Sequence, residues 1–183
     1  MQQEMIIVCL GDSITYGFPY GSATSWAARL SENIEARVIN KGINGNTTSD
    51  MLARFERDVI KYQPTHLILM GGINDVVCAE SLDRVKYNIK HMVEWALRES
   101  IRVIIGMPTA VDVKSWETTL KKLRAWIEEL AREFNLPIIH FEHAFYDENG
   151  RVRSELLLAD GGHPTEKGYQ EMYRQIDLNL FKA

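Results

Sequence analysis

The chain is short of cysteine, of long apolar runs and of excess positive charge, and each shortage excludes something. Two cysteines, Cys9 and Cys78, cannot build a disulfide framework, so free thiols are expected. No apolar run is long enough to span a bilayer, which excludes stable membrane insertion by a helix. The stretch Met1-Gln-Gln-Glu-Met-Ile-Ile-Val-Cys-Leu10 has too short an apolar part for a signal peptide. It also lacks a basic n-region and a small-residue cleavage site. A cytoplasmic location is the expectation from that start. The formal net charge is -4 at pH 7, with both signs interspersed, and no basic stripe marks a nucleic-acid partner. Lys121, Lys122 and Arg124 cluster, but at helical spacing among apolar residues they read as one solvated face. No repeat, low-complexity tract or linker is visible. Neither Gly-x-Gly-x-x-Gly nor Gly-x-x-x-x-Gly-Lys-Ser/Thr occurs, so no nucleotide cofactor is implied.

What remains is an ordinary core-forming sequence. Its 183 residues, 45% apolar and 25% charged, suit one domain over 1–183. Short aliphatic runs alternate with longer helical ones. Strands are predicted at Met5–Leu10, Ala36–Asn40, His66–Met70, Ile101–Gly106 and Pro137–Phe141, each followed by Gly, Asn, Pro or His. Between them the apolar residues step by three and four. Trp116, Leu120, Leu123, Ile127, Leu130 and Phe134 mark one helix, and Val85, Ile89, Met92, Val93 and Ala96 another. Leu52, Phe55 and Val59 mark a third, Tyr169 to Leu180 a last, and Ser25–Ile34 a further one. Repeated β–α alternation requires crossovers between parallel strands. The predicted fold class is α/β, three-layer α/β/α, with a flavodoxin-like parallel five-stranded sheet in the order 2-1-3-4-5. Ligands of such sheets bind beyond the carboxyl ends of the strands.

Four loops at that end carry small polar residues. They read Gly11-Asp12-Ser13-Ile14-Thr15, Gly42-Ile43-Asn44-Gly45-Asn46-Thr47, Gly71-Gly72-Ile73-Asn74-Asp75 and Asp160-Gly161-Gly162-His163-Pro164. A serine hydroxyl becomes a useful nucleophile when a neutral imidazole takes its proton. His163 is the candidate base, and Asp160 lies three residues earlier, where its carboxylate can orient the ring. Pro164 would stiffen that loop.

Together these blocks resemble the GDSL/SGNH hydrolases, whose motifs contribute a Ser, a Gly, an Asn and a His. The resemblance runs from the first strand to the last helix, and Ile14 replaces the Leu of the eponymous tetrad. It implies the SGNH hydrolase fold and a serine ester hydrolase acting through an acyl-enzyme on Ser13, with Asp160 and His163 completing the triad. It further implies an oxyanion hole from the backbone N–H groups of Ser13 and Gly45 and the side chain of Asn74, with no cofactor and no metal. The expected partner is a small acyl ester or thioester. An acyltransferase or a carbohydrate O-deacetylase with the same triad is the alternative.

Plainer readings exist for several of these residues. Ser13 and Asp12 suit a helix cap, Gly42 and Gly45 a turn, and Asp75 a structural carboxylate. His140, Glu142 and His143 fall across a strand end rather than on one helix face, a poor spacing for a metal. Tyr16, Phe18, Pro19, Tyr20 and Trp26 could line an acyl pocket or pack in the core. A receiver-type module would need a lysine where His140-Phe141-Glu142 stands. The Gly-x-Ser-x-Gly elbow of the α/β-hydrolases is broken by Thr15.

Overall fold

The computed structural model describes residues 4–182, so the first three residues of the segment read for a leader lie outside the described residues. Strand β1 (Ile6–Gly11) leads into a single-turn helix α1 (Ser13–Tyr16), then α2 (Trp26–Asn33) and β2 (Arg37–Gly42). Two short helices, α3 (Thr48–Ala53) and α4 (Phe55–Asp58), precede β3 (His66–Leu69) and α5 (Ile73–Val77). The long α6 (Leu82–Arg98), β4 (Arg102–Gly106) and α7 (Lys114–Phe134) follow. The edge strand β5 (Ile138–Ile139) and α8 (Glu166–Tyr173) complete the chain. The five strands are parallel in the order β2-β1-β3-β4-β5, as the alternation predicts.

The central position of β1 explains its composition. Ile7, Val8, Cys9 and Leu10 are fully buried, because helices cover both faces of a parallel sheet. Helix α6 starts where the Ser81 hydroxyl accepts the Arg84 N–H, and Asp83 and Arg98 complement its dipole. It buries Val85, Ile89, Met92, Val93 and Ala96, about 1.5–3 kcal/mol for each large side chain fully removed from water. Helix α7 ends at Asn135, whose φ of 53° is the left-handed conformation that Asn tolerates best after Gly. No helix among the described residues is long and apolar enough to cross a membrane.

Three expectations are corrected. The fifth strand is two residues rather than five, because the chain turns at His140 into a 3-10 helix, Phe141–Phe145. That turn buries Phe141 against Trp26, ring centroids 4.9 Å apart. The last helix stops at Tyr173. Asp177 then caps a separate 3-10 turn by accepting the Asn179 N–H, an alternative that short acidic side chains offer the backbone. Arg124 is no part of a solvated face. It lies on the buried stripe Glu117, Leu120, Arg124, Ile127 and Ala131 of α7, and every branch of its guanidinium is used. Nη1 and Nη2 meet Glu117 at 2.7 and 3.1 Å, while Nε and Nη2 donate to the carbonyls of Pro108 and Thr109 at 2.8 and 2.7 Å. Tyr146 also hydrogen-bonds Glu117. Burial opposes the Glu117 charge, but these partners win and hold its carboxyl below the usual range.

Candidate active site

The carboxyl ends of β1, β2 and β3 and the loop before α8 meet in one place. Asp12 is the N-cap of α1, with its side chain accepting the Ile14 N–H at 2.9 Å. That puts Ser13 at the first helical position, where backbone N–H groups have no partner inside the helix. Gly42, at the end of β2, permits the close packing of this turn. A Cβ there would stand 2.1 Å from the Tyr16 nitrogen and 2.7 Å from the Asp12 carbonyl oxygen.

The Ser13 hydroxyl faces His163, Oγ to Nε2 2.8 Å. His163 Nδ1 lies 2.7 Å from Asp160 Oδ2. A carboxylate only accepts, so Nδ1 carries the proton and Nε2 presents its lone pair to the serine. The other Asp160 oxygen accepts the backbone N–H groups of Gly162 and His163, both at 2.9 Å. Burial pushes the Asp160 carboxyl up, yet these donors and the imidazole hold it below the ordinary value. The loop is pinned further by Leu158 N–H to the His163 carbonyl at 2.8 Å, and by Asp112 N–H to the Gly161 carbonyl at 2.7 Å. Pro164 comes just before Thr165, the N-cap of α8. The Phe18 ring packs on His163, centroids 4.6 Å apart, and its carbonyl accepts the Tyr169 hydroxyl at 2.8 Å.

Gly45 has φ 77°, a conformation that favours glycine, in the turn closed by Asn46 N–H to the Ile43 carbonyl. Among the described residues, no protein acceptor takes the N–H of Ser13 or of Gly45. Asn74 donates one amide hydrogen to the Asn46 carbonyl at 2.9 Å and retains a second. Asp75 is buried and accepts the Thr48 N–H at 2.9 Å and the Thr48 hydroxyl at 2.6 Å, tying the third loop to the second. Asn88 on α6 donates to the same hydroxyl at 3.1 Å.

Two features of this site go beyond the sequence motifs, namely Arg54 and the burial of the Asp12 carboxyl. Arg54 is buried behind the second loop. Its Nε donates to Asn46 Oδ1 at 2.7 Å, Nη2 to the Gly11 carbonyl at 2.9 Å, and Nη1 to Asp58 at 3.0 Å. The only sequence trace is the i,i+4 spacing of Arg54 and Asp58. Asp12 is also buried, and burial raises its carboxyl to about 6 against the lowering from the Ile14 N–H and His163. Of the five candidates for a pocket wall, Trp26 is core and Phe18 touches His163, while Tyr16 and Tyr20 are exposed. A cavity of about 760 Å³ is lined by Thr65, His66, Arg102 and Phe181. It lies at the amino ends of the strands, opposite the end where Ser13 and His163 meet. His140 and His143, separated on spacing alone, are brought together with Glu142 by the 3-10 turn.

Residues 9–171 match the GDSL-like Lipase/Acylhydrolase family, and the chain belongs to it. A solved GDSL-like lipase from Bacteroides thetaiotaomicron superposes with a TM-score of 0.81 at 26% identity, covering 96% of this chain and 87% of that one. The acetylxylan esterase of Geobacillus stearothermophilus is 28% identical, over 75% of this chain and 69% of that protein. The thioesterase 1/protease 1/lysophospholipase L1 of Escherichia coli K12 is 24% identical, over 86% and 74%.

Proposed function

We propose that the protein hydrolyses carboxylic esters through an acyl-enzyme on Ser13. The observation that carries this reading is the unbroken relay Ser13 Oγ, His163 and Asp160, at 2.8 and 2.7 Å. Ser13 attacks the ester carbonyl carbon while Nε2 of His163 takes the hydroxyl proton. Asp160 stabilises the imidazolium that results. The tetrahedral oxyanion accepts from the N–H groups of Ser13 and Gly45 and from the free amide hydrogen of Asn74, each worth about 2.7–4 kcal/mol in comparable sites. Collapse expels the alcohol, which takes the proton from His163. Water, deprotonated by the same imidazole, then releases the acid and regenerates Ser13. Every role is filled by a protein group, so activity is expected to survive exhaustive chelation.

Exposed side chains close in sequence to these groups favour an apolar acyl part. Tyr16, Ile43 and Val77 are exposed and lie within three residues of Ser13, Gly45 and Asn74, and Tyr20 is exposed on the loop that follows α1. Ile43 and Val77 offer no hydrogen bond to a sugar, but each methylene covered adds about 0.8 kcal/mol. The acetylxylan esterase relative keeps acetylated carbohydrate as the second reading.

An organophosphorus ester tests the nucleophile. One adduct on Ser13, located by mass spectrometry and absent from Ser13→Ala, is the expected result; a label elsewhere overturns the assignment. A series of esters and thioesters of rising chain length, run beside acetylated xylose and with an added acceptor alcohol, then tests the substrate class. A rate that rises with acyl length supports the apolar reading. Preference for the sugar acetate, or capture of the acyl group by the alcohol, replaces it.

A further inference from the structure

A second cluster of chemically competent side chains lies outside the candidate active site, just after β5. Residues three apart in a 3-10 helix eclipse one another, and the turn at Phe141–Phe145 does this to two histidines. The His143 N–H donates to the His140 carbonyl at 3.1 Å. Their rings lie face to face, centroids 4.7 Å apart and planes 9° from parallel. Glu142, between them, turns inward and is buried. A single oxygen, Oε1, faces both rings, 2.9 Å from His140 Nδ1 and 3.5 Å from His143 Nε2. The second oxygen, Oε2, is buried and has no hydrogen-bond partner among the described residues.

A carboxylate oxygen bonded to one imidazole is an ordinary ion pair, but three details go beyond that. The second imidazole nitrogen lies 3.5 Å from the same oxygen without hydrogen-bonding it. The side chain of His143 is 63% exposed, so an ion and its waters can reach the cluster. The ligand atoms all lie within 4.8 Å of one another. Bonds of about 2.0–2.2 Å from zinc to imidazole nitrogen and carboxylate oxygen place ligand atoms roughly 3.3 Å apart in a tetrahedron. Two of the three separations, 2.9 and 3.5 Å, are already near that value, and the third is within 4.8 Å.

We propose that His140, Glu142 and His143 form a peripheral site for one divalent metal ion of the borderline class, Zn²⁺ in the first instance, with water completing the coordination. Two imidazoles and one carboxylate are the donor set that suits zinc, nickel and copper rather than calcium or magnesium. The 3-10 turn packs against α8, where Phe145 meets Gly168. Zinc would therefore fasten this turn beside the helix that follows His163, without taking part in the reaction. The proposal does not depend on the esterase reading.

Calorimetric titration of the full, chelator-treated chain with Zn²⁺ tests it, together with histidine ring resonances followed by NMR. One ion per chain is expected, with saturable binding in the micromolar range. Of the five histidines, only His140 and His143 should shift, and His66, His91 and His163 should not. His143→Ala, a change at an exposed position that leaves the fold intact, should weaken binding at least about tenfold, and His140→Ala/His143→Ala should abolish it. His91→Ala should bind as the parent does. Absence of saturable binding, undiminished binding by the double variant, or shifts confined to His163 would overturn the site.

Discussion

Arg54 and Asn74 meet on the same residue: Asn46 accepts the Arg54 Nε–H on its side chain at 2.7 Å and the Asn74 amide on its backbone carbonyl at 2.9 Å. Gly45, the residue before it, is thereby anchored on its carboxyl side. The same guanidinium reaches the Gly11 carbonyl, two residues before Ser13. Arg54 therefore positions two of the proposed oxyanion donors without touching substrate. Arg54→Lys keeps the charge beside Asp58 but loses the planar fork. It should fold and lower kcat by about tenfold to a hundredfold with KM little changed, since a displacement near 1 Å can cost that much. Arg54→Ala should also cost stability, toward the lower end of about 3–5 kcal/mol for a broken buried pair. Asp58 retains Arg57 at 2.8 Å, which limits the loss. Steady-state kinetics with denaturant melts separates the two effects. Unchanged kcat in Arg54→Lys would make the residue purely structural.

Removing the Asn74 donor leaves the relay between Ser13 and His163 whole. Asn74→Ala should still form the organophosphorus adduct, more slowly, with kcat down by about 10²–10³ and KM nearly constant. Asp160→Asn acts on the other end, favouring the wrong tautomer of His163, and should lower kcat by about 10⁴. A rise in KM with kcat untouched in Asn74→Ala would mark a ground-state contact instead.

Both the sheet and the four loops were legible in the sequence, for one physical reason. Buried parallel strands must be continuous apolar runs, and the loops that end them must be small and polar for the backbone to approach a ligand. Ile7 to Leu10 followed by Gly11-Asp12-Ser13 carries both signals. Arg54 and Arg124 carried neither. A cation next to an apolar stripe has the same periodicity whether it faces water or a buried carboxylate, and only the fold brings in the Asn46 and Pro108–Thr109 oxygens. The His140 cluster escaped because spacing was judged against a strand that stops two residues sooner than expected.

The Glu117–Arg124 pair makes a separate prediction about stability. Arg124→Ala strips Glu117 of its counter-charge, leaving it only the Tyr146 hydroxyl and the Val111 N–H, and leaves the carbonyls of Pro108 and Thr109 without the guanidinium donors. It should destabilise by about 3–5 kcal/mol. Replacing both partners with apolar residues, Glu117→Leu/Arg124→Met, should recover most of that loss, because no unpaired charge remains. Denaturant midpoints of the single and double variants test this. A double variant no better than the single would mean that the carbonyls, not the charge, dominate.

Asp12 links the turn that carries Ser13 to the pH dependence of stability. Burial lifts its carboxyl from 3.8 to about 6 in the folded chain. An acid that ionises later when folded contributes stability fully below its unfolded value, and that contribution is lost as pH rises through the folded one. Between about pH 4 and pH 7 the loss amounts to roughly 2.4 kcal/mol of a full shift of about 3 kcal/mol, at about 1.4 kcal/mol per unit. Asp160 and Asp58, held low by their partners, act in the opposite direction, so the net profile of the parent protein mixes both signs. Comparison with Asp12→Asn isolates the one group, since an Asn carbonyl can still cap the Ile14 N–H. Near pH 4 the variant and the parent should have similar denaturant midpoints. As pH rises toward 7 the variant should become the more stable, by an amount that grows through the region around pH 6 and then levels off. A stability difference that stays constant from pH 4 to pH 7.5 would show that the Asp12 carboxyl ionises alike in the folded and unfolded chain.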